Sequence, residues 1–405
     1  MRKALKWNLV QVALCVAGFW RAAYNREAFA SDEGAVIASF SVFDDGDAVI
    51  VPVTFRGAAY GFSVDSASTR VTYDASFTSL LGDPIDYVAT NTLTGVQQRP
   101  VFDAPDAHLG RLSLRSRPPV ETRGVTCRDL ALTRLATGHD IRGCLGMDFL
   151  KRHIIRLDFN HGKLLFLTRV GTEPGVLVRM ARGQSDPAVV STIPGLAPVA
   201  FAISTGGGCN SGVLDATLID ELLQRKLAVI VREGTIVEGN QAAPTRIVRV
   251  NSIELGGFQQ RALLFGERSG GRGNALDLGF WRRFVVTIDF PNRALYLKPS
   301  KWHDAPDDDY FGAIERIGMG IGILDGDVTI RFVNPGSPAQ RGGIRKMDVL
   351  AAIGGFDVSH ARLLTIYRLL FTAKNPIRLT IDRGGERLEL SVNVPRSNLH
   401  SDLGR

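Results

Sequence analysis

One stretch of this chain is written twice. GCLGMDFLKRHIIRLDFNHGKLLFL, Gly143 to Leu167, returns as NALDLGFWRRFVVTIDFPNRALYL, Asn274 to Leu297. Each copy reads as an apolar turn, a short helical segment with two basic residues, and two strands. The strands are HIIRLDF with KLLFL and FVVTIDF with ALYLK, joined by the hairpin-forming turns NHG and PNR. The correspondence continues upstream, where HLGRLSL matches IELGGFQ and, further back, FSVDSAST (Phe62 to Thr69) matches FAIST (from Phe201). A period above a hundred residues is too long for a solenoid unit and implies a duplicated lobe. With 405 residues, 45% of them hydrophobic, the chain can bury a large core and holds two or three domains. Its 43 glycines, 18 prolines and many short apolar runs favour strands over a helical bundle.

The order of these blocks resembles the aspartic peptidases, in particular the retropepsin-like lobes of bacterial proteins, from Ser39 to Pro299. The resemblance implies a mostly β fold, with two pepsin-like β-barrel lobes in one chain. In that family each lobe supplies a D-[ST]-G turn after an apolar strand, and an apolar-apolar-Gly turn that supports it from beneath. Asp65-Ser66-Ala67 matches the first turn, with Cys144-Leu145-Gly146 beneath it. Ser204-Thr205-Gly206 is the second, with Ala275-Leu276-Asp277 beneath it.

Amide hydrolysis without a covalent intermediate needs one group to activate water and another to protonate the carbonyl or leaving nitrogen. Two neighbouring carboxylates that share a proton supply both, as they do in the dyad of the aspartic proteases. Here Asp65 can act as the base, but Ser204 holds no charge near neutral pH. The resemblance therefore marks Asp65, Ser66, Ser204, Thr205 and Gly206 as the site, with peptidase activity lost or weakened. The alternative is an active endopeptidase that uses Asp65, either with Ser204, Thr205 and Gly206 supporting the water or with two copies turning their Asp65 turns toward each other, and with the PDZ domain guiding substrate recognition. Two other departures count against activity. Ala67 stands where the family has glycine and is expected to strain at positive φ, and Asp277 puts a charge where a small buried residue is expected. The hairpin Tyr87 to Phe102, with Gly95 near its tip, is expected to cover the cleft, with VREGTIVEGNQAAPTRIVRV as its counterpart in lobe two. Whether or not hydrolysis survives, the groove can bind an extended polypeptide through its main chain.

A polar, acidic stretch, KPSKWHDAPDDDYFGA, reads as a linker. Beyond it, Met319 to Val358 resembles a PDZ domain of the type attached to bacterial proteases. The resemblance rests on the G-x-G entry, the block Val333 to Ala339, the GGI, DVL and IGG run, a helix near His360 to Ala373 and the closing strands IRLTID and RLELSVNV. Met347 replaces the usual glycine before the aspartate, a matter for a turn. The resemblance implies that Gly318, Met319, Gly320 and Ile321 form the loop that holds a peptide carboxylate, that Ile323 begins the pairing strand, and that Leu363, Ile366 and Tyr367 line the side-chain pocket. Protein C-termini are the implied ligands. The competing reading is a PDZ domain that serves as a scaffold against the lobes. The domain scheme is a signal over 1–30, lobes over 31–172 and 173–300, a linker over 301–311, PDZ over 312–396 and a polar tail over 397–405.

Arg2, Lys3 and Lys6 precede an apolar stretch from Trp7 to Trp20, and Ala28-Phe29-Ala30 offers a cleavage site. An exported, periplasmic or otherwise extracytoplasmic protein without a stable membrane span is expected. Cys15, in VALC, departs from the lipoprotein pattern. The net charge of +7 comes from scattered arginines with no basic stripe interleaved with aromatics, so nucleic acid is not an expected partner. After the signal three cysteines remain, Cys127, Cys144 and Cys209. A Cys127–Cys144 bridge and three buried thiols are equally open. CNSGV (Cys209 to Val213) lacks the second glycine of a serine-protease motif. No paired-histidine metal spacing, P-loop or dinucleotide fingerprint occurs, so neither a metal nor a cofactor is expected.

Overall fold

The computed structural model describes residues 35–395 apart from 93–94, 116–123, 184–185, 209, 239 and 269–272. The expected signal with Cys15, Cys209 and the polar tail lie outside the described residues. The duplicated block folds twice in the same way. In the first copy Ile154–Asp158 pairs antiparallel with Lys163–Leu167, and in the second Phe284–Asp289 pairs with Ala294–Pro299. Each turn is closed by the aspartate that ends the first strand. Asp158 accepts from the Asn160 amide at 2.9 Å, and Asp289 from the Asn292 amide at 3.0 Å. The positive φ that the turn needs is taken by Gly162 in one copy and by Arg293 in the other.

These two hairpins join edge to edge, Ile155 opposite Ile288 and Leu157 opposite Val286, all four fully buried. A strand from the start of each lobe, Val36–Ser41 and Val176–Arg179, completes a six-stranded sheet shared by both halves. Above it lobe one carries a nine-stranded sheet and lobe two a seven-stranded one. In each, two strands run parallel side by side: Ala58–Val64 beside Ile141–Leu145, and Val199–Ile203 beside Asn274–Leu276. One apolar core runs continuously through both lobes and the shared sheet, and a separate one fills the C-terminal domain. The sheet of that domain runs in the order Met319–Leu324, Asp327–Val333, Val349–Ile353, Ile377–Arg383, Glu386–Val392, with the short Phe356–Asp357 paired to the third of these. Its main helices are Tyr310–Ile317 and Leu363–Thr372. Met347 takes positive φ (71°) in the turn before Asp348. No helix among the described residues is long and apolar enough to cross a membrane.

One alternative left open by the sequence is decided, and the stretch read as a linker proves to be packed. Cys127 and Cys144 are free, buried thiols. The strand Thr72–Asp74 lies between theirs, Tyr73 opposite Cys127 and Thr72 opposite Cys144. Two strand spacings separate them by roughly 9–10 Å, beyond disulfide reach. The stretch 301–311 is not a free tether either. Asp307 is buried in lobe two, where it accepts from the Ser211 hydroxyl at 2.6 Å and the Leu264 amide at 2.8 Å. Trp302 donates its ring N–H to the Asp44 carbonyl, and Lys301 pairs with the Asp44 carboxylate. Polar composition predicts solvation, but Asp307 is held by specific buried partners instead, and Lys301 and Trp302 are tied to Asp44 at the surface.

Candidate functional site

The two parallel strand pairs fix the two turns. Asp65 donates its amide to the Leu145 carbonyl and Ser204 donates its amide to the Leu276 carbonyl, both at 3.0 Å, so each turn sits on its apolar-apolar support in the same way. The turns then lock across the lobes. The Ser66 hydroxyl donates to the carbonyl of Ile203, the residue before Ser204, at 2.5 Å. The Thr205 hydroxyl donates to the carbonyl of Val64, the residue before Asp65, at 2.8 Å. Thr205 Oγ1 also accepts from the Ser66 amide at 3.0 Å. Ser66, Ser204 and Thr205 are buried, while Gly206 is exposed. Sequence thus placed all five residues in one constellation, and the structure brings them together.

The Asp65 carboxylate lies against Gly206. A Cβ on that glycine would come within 2.3 Å of Asp65 Cγ, so only glycine leaves the carboxylate its place. Its Oδ1 accepts from the Ala67 amide at 2.9 Å, and Cys144 Sγ stands 3.9 Å from Oδ2. Burial, and next the negative charge of Asp65, push the Cys144 thiol up to about 12, which keeps it protonated beside the carboxylate. The expectation of strain at Ala67 is overturned, because Ala67 is not among the residues at positive φ. Asp277 is half-buried, and its carboxyl carbon lies where a Cβ on Gly207 would be, at 2.2 Å. In lobe one the matching places hold Gly146 beneath and Ser68 in the turn, so lobe two has exchanged small and large across that contact. That exchange is how a charged residue fits where a small one was expected. One carboxylate, Asp65, comes from the two turns, and Ser204 supplies a hydroxyl at the matching place of lobe two.

The hairpins behave differently in the two lobes. In lobe one Asp86–Thr92 pairs with Gly95–Phe102, and Tyr87 and Val96 are well exposed. In lobe two Ala228–Glu238 pairs with Gln241–Leu255, and its turn reaches lobe one, where Asn240 Nδ2 donates to Asp129 Oδ2 at 2.7 Å.

The residues expected to bind a peptide in the C-terminal domain lie on, or just before, strand Met319–Leu324 and on helix Leu363–Thr372, which pack against each other. The strand lies at the edge of its sheet. Gly318, Met319, Gly320, Ile321, Leu363, Ile366 and Tyr367 are nevertheless buried, and Ile323 is half-buried. Lobe one accounts for part of this. Its helix Ala131–Thr137 ends on Gly138, where an added Cβ would meet Leu363 and Ile323, and the partly exposed Leu135 lies over Gly322, where an added Cβ would meet it.

Charge fastens the contact. Arg362, just before the helix, donates to Asp45 at 2.9 and 3.2 Å and to Asp47 at 2.8 Å; Arg368 donates to Asp45 at 2.6 Å. His139 also meets Asp47, at 3.0 Å, and Phe43 stacks on the His139 ring and has the Arg362 guanidinium over its own ring. Burial alone would raise the Asp45 carboxyl, but the bond to Arg362 and the charges of Arg362 and Arg368 outweigh it and hold the carboxyl below its ordinary range. Lobe two grips the same domain through Arg232, which donates to Asp309 at 2.9 Å and to Glu315 at 2.8 Å. Sequence reading missed Asp45, Asp47, His139, Arg362 and Arg368. The only signal was the acidic run FDDGD facing two arginines six positions apart, and over three hundred residues of chain separate them.

The family model of the PDZ domain matches residues 312–382, so the chain carries a PDZ domain near its C-terminus. No curated protein matches the chain. Among solved structures, the HtrA3 PDZ domain bound to a phage-derived ligand (FGRWV) is similar at 25% identity and TM-score 0.16, over 18% of this chain and 66% of that one. An aspartic proteinase from Irpex lacteus is similar at 15% identity and TM-score 0.42, over 67% of this chain and 100% of that one.

Proposed function

We propose that this chain binds extended polypeptides in a cleft between two aspartic-peptidase-like lobes, with hydrolysis lost or weakened, and that its PDZ domain is a second polypeptide site, for protein C-termini. The observation that carries the reading is the crossed pair of hydroxyl bonds, Ser66 to Ile203 and Thr205 to Val64, which presses two equivalent turns together while only one of them holds a carboxylate. Asp65 can take a proton from water, but the turn opposite returns none: Ser204 is a neutral hydroxyl that orients water without sharing charge. The exposed strand edges of the hairpins supply main-chain donors and acceptors to an extended chain. The N-terminal charge and apolar pattern supports export to an extracytoplasmic compartment, which N-terminal sequencing of the mature protein tests.

Pairing of Asp65 turns from two copies would require these crossed bonds to be given up, so activity through a homodimer is the lesser reading. Digestion of a peptide library from acidic to neutral pH, with the wild type, Asp65→Ala and Ser204→Asp, tests the proposal. Cleavage that appears only in Ser204→Asp supports it. Vigorous wild-type cleavage abolished by Asp65→Ala refutes the loss of hydrolysis.

A further inference from the structure

We propose that the PDZ groove is held shut by lobe one, so that a C-terminal peptide and the end of the helix Ala131–Thr137 compete for the same place. The inference rests on the reading of the PDZ domain as a peptide site and goes beyond it, because it makes access to that site conditional. The strand Met319–Leu324 has hydrogen-bonding partners on one side only among the described residues, and strand addition would use its other side. Both walls of the groove are in contact with a single turn of lobe one. A Cβ on Gly138 would be 2.8 Å from Leu363 Cγ and 3.3 Å from Ile323 Cγ1, so there is no room for a peptide backbone between them. Leu135 Cδ1 stands 2.9 Å from the Cβ position of Gly322, over the middle of the strand.

The fit depends on one glycine. Gly138 takes φ +70°, ends the helix by donating its amide to the Arg134 carbonyl, and has no side chain to hold the domains apart. The polar clamp sits beside the groove rather than within it. Arg362 precedes the first residue of the helix that forms one wall, and both it and Arg368 are held by Asp45 of lobe one. Separation of the clamp therefore moves that wall away from Gly138, and a bound peptide would have to displace Leu135 and Gly138 before it could pair with the strand.

The test uses the full chain and two independent ways to release it. Arg362→Ala with Arg368→Ala removes the clamp; Leu135→Glu disturbs the plug and leaves the clamp in place. Hydrogen exchange of residues 319–324 reports release. Anisotropy of labelled pentapeptides Phe-Gly-Arg-Trp-Xaa, with a free carboxylate and an apolar last residue, reports binding. The expected result is faster exchange in both variants, protection restored by peptide, and affinity at least roughly tenfold above that of the wild type, about 1.4 kcal/mol. Equal affinity in wild type and released variants overturns the competition while leaving peptide binding intact. Unchanged exchange in both variants overturns the clamp and plug. No binding by variants that exchange demonstrates to be released overturns both this inference and the peptide-binding reading beneath it.

Discussion

Replacement of Thr205 by valine tests whether the two turns are locked as described. Valine keeps the shape of the side chain and removes only the hydroxyl. Two consequences follow: the Val64 carbonyl loses a donor at 2.8 Å, and the Ser66 amide loses its acceptor at 3.0 Å. Ser66 and Thr205 are fully buried, so the orphaned N–H has no water to turn to. An unmet buried donor costs about 1–3 kcal/mol, and the lost carbonyl bond adds about 1 kcal/mol, less than a full penalty because a carbonyl tolerates one empty lone pair. The sum is about 2–4 kcal/mol.

Thr205→Ser, which keeps the oxygen and drops a methyl, is expected to cost only about 1 kcal/mol. Ser66→Ala removes the bond to the Ile203 carbonyl and a longer one accepted from the Thr205 hydroxyl at 3.3 Å, and is expected to fall between them. Urea unfolding followed by tryptophan fluorescence supplies the midpoints, and Trp281, buried in lobe two, reports on the relevant half. If the valine and serine variants unfold at the same urea concentration, the hydroxyl is not bridging the lobes and the reasoning fails.

Gly206→Ala is expected to destabilise by at least about 2 kcal/mol and to displace the Asp65 carboxylate, as the new Cβ has nowhere else to go; Gly208→Ala, with nothing within 4 Å, serves as the control in the same unfolding assay. Burial raises the Asp307 carboxyl, so its contribution to stability is fully present below the unfolded pKa and is lost as pH rises through the folded one. Asp307→Asn should therefore match or exceed the wild type at pH 8, while Asp307→Ala, which orphans the Leu264 amide, should lose about 1–3 kcal/mol; equal midpoints for the two variants would contradict this. Asp45 has the opposite sign. Its folded pKa is depressed, so its stabilisation is present above the unfolded value and lost as pH falls through the folded one, and exchange in the helix Leu363–Thr372 should rise below about pH 4. The Cys127 and Cys144 thiols, pushed up to about 11 and about 12 by burial, should resist iodoacetamide at pH 8 until the chain is unfolded, as mass spectrometry would show.

Local patterns carried the sequence reading as far as local physics reaches. The repeated hairpins were legible because an aspartate two residues before the turn and alternating apolar residues act within a dozen positions. The Asp65 and Ser204 turns were legible only through the resemblance that the repeated block carries, because three small residues after an apolar strand are by themselves a weak signal. Ala67 was misjudged because the resemblance prescribed a glycine, although the backbone here stays out of the positive-φ region. The packing of the stretch 301–311 was not legible because a run of aspartates looks the same whether it meets water or Ser211 and Leu264. The residues expected to form the PDZ site lie on one strand and one helix that pack together, yet nothing in them reveals that Gly138 and Leu135 of another domain lie over them. Burial of that kind is decided by the meeting of surfaces remote in sequence, and single residues such as Arg362 declare their partners only in three dimensions.

Arg232 ties lobe two to the PDZ domain, Asp45 ties the PDZ domain to lobe one, and the shared sheet ties the lobes to each other. Three bodies joined pairwise form a closed linkage with no free arm. Any separation of the lobes about their common floor would then carry the third body along or part its ion pairs to one of them, Arg362 and Arg368 to Asp45 or Arg232 to Asp309 and Glu315.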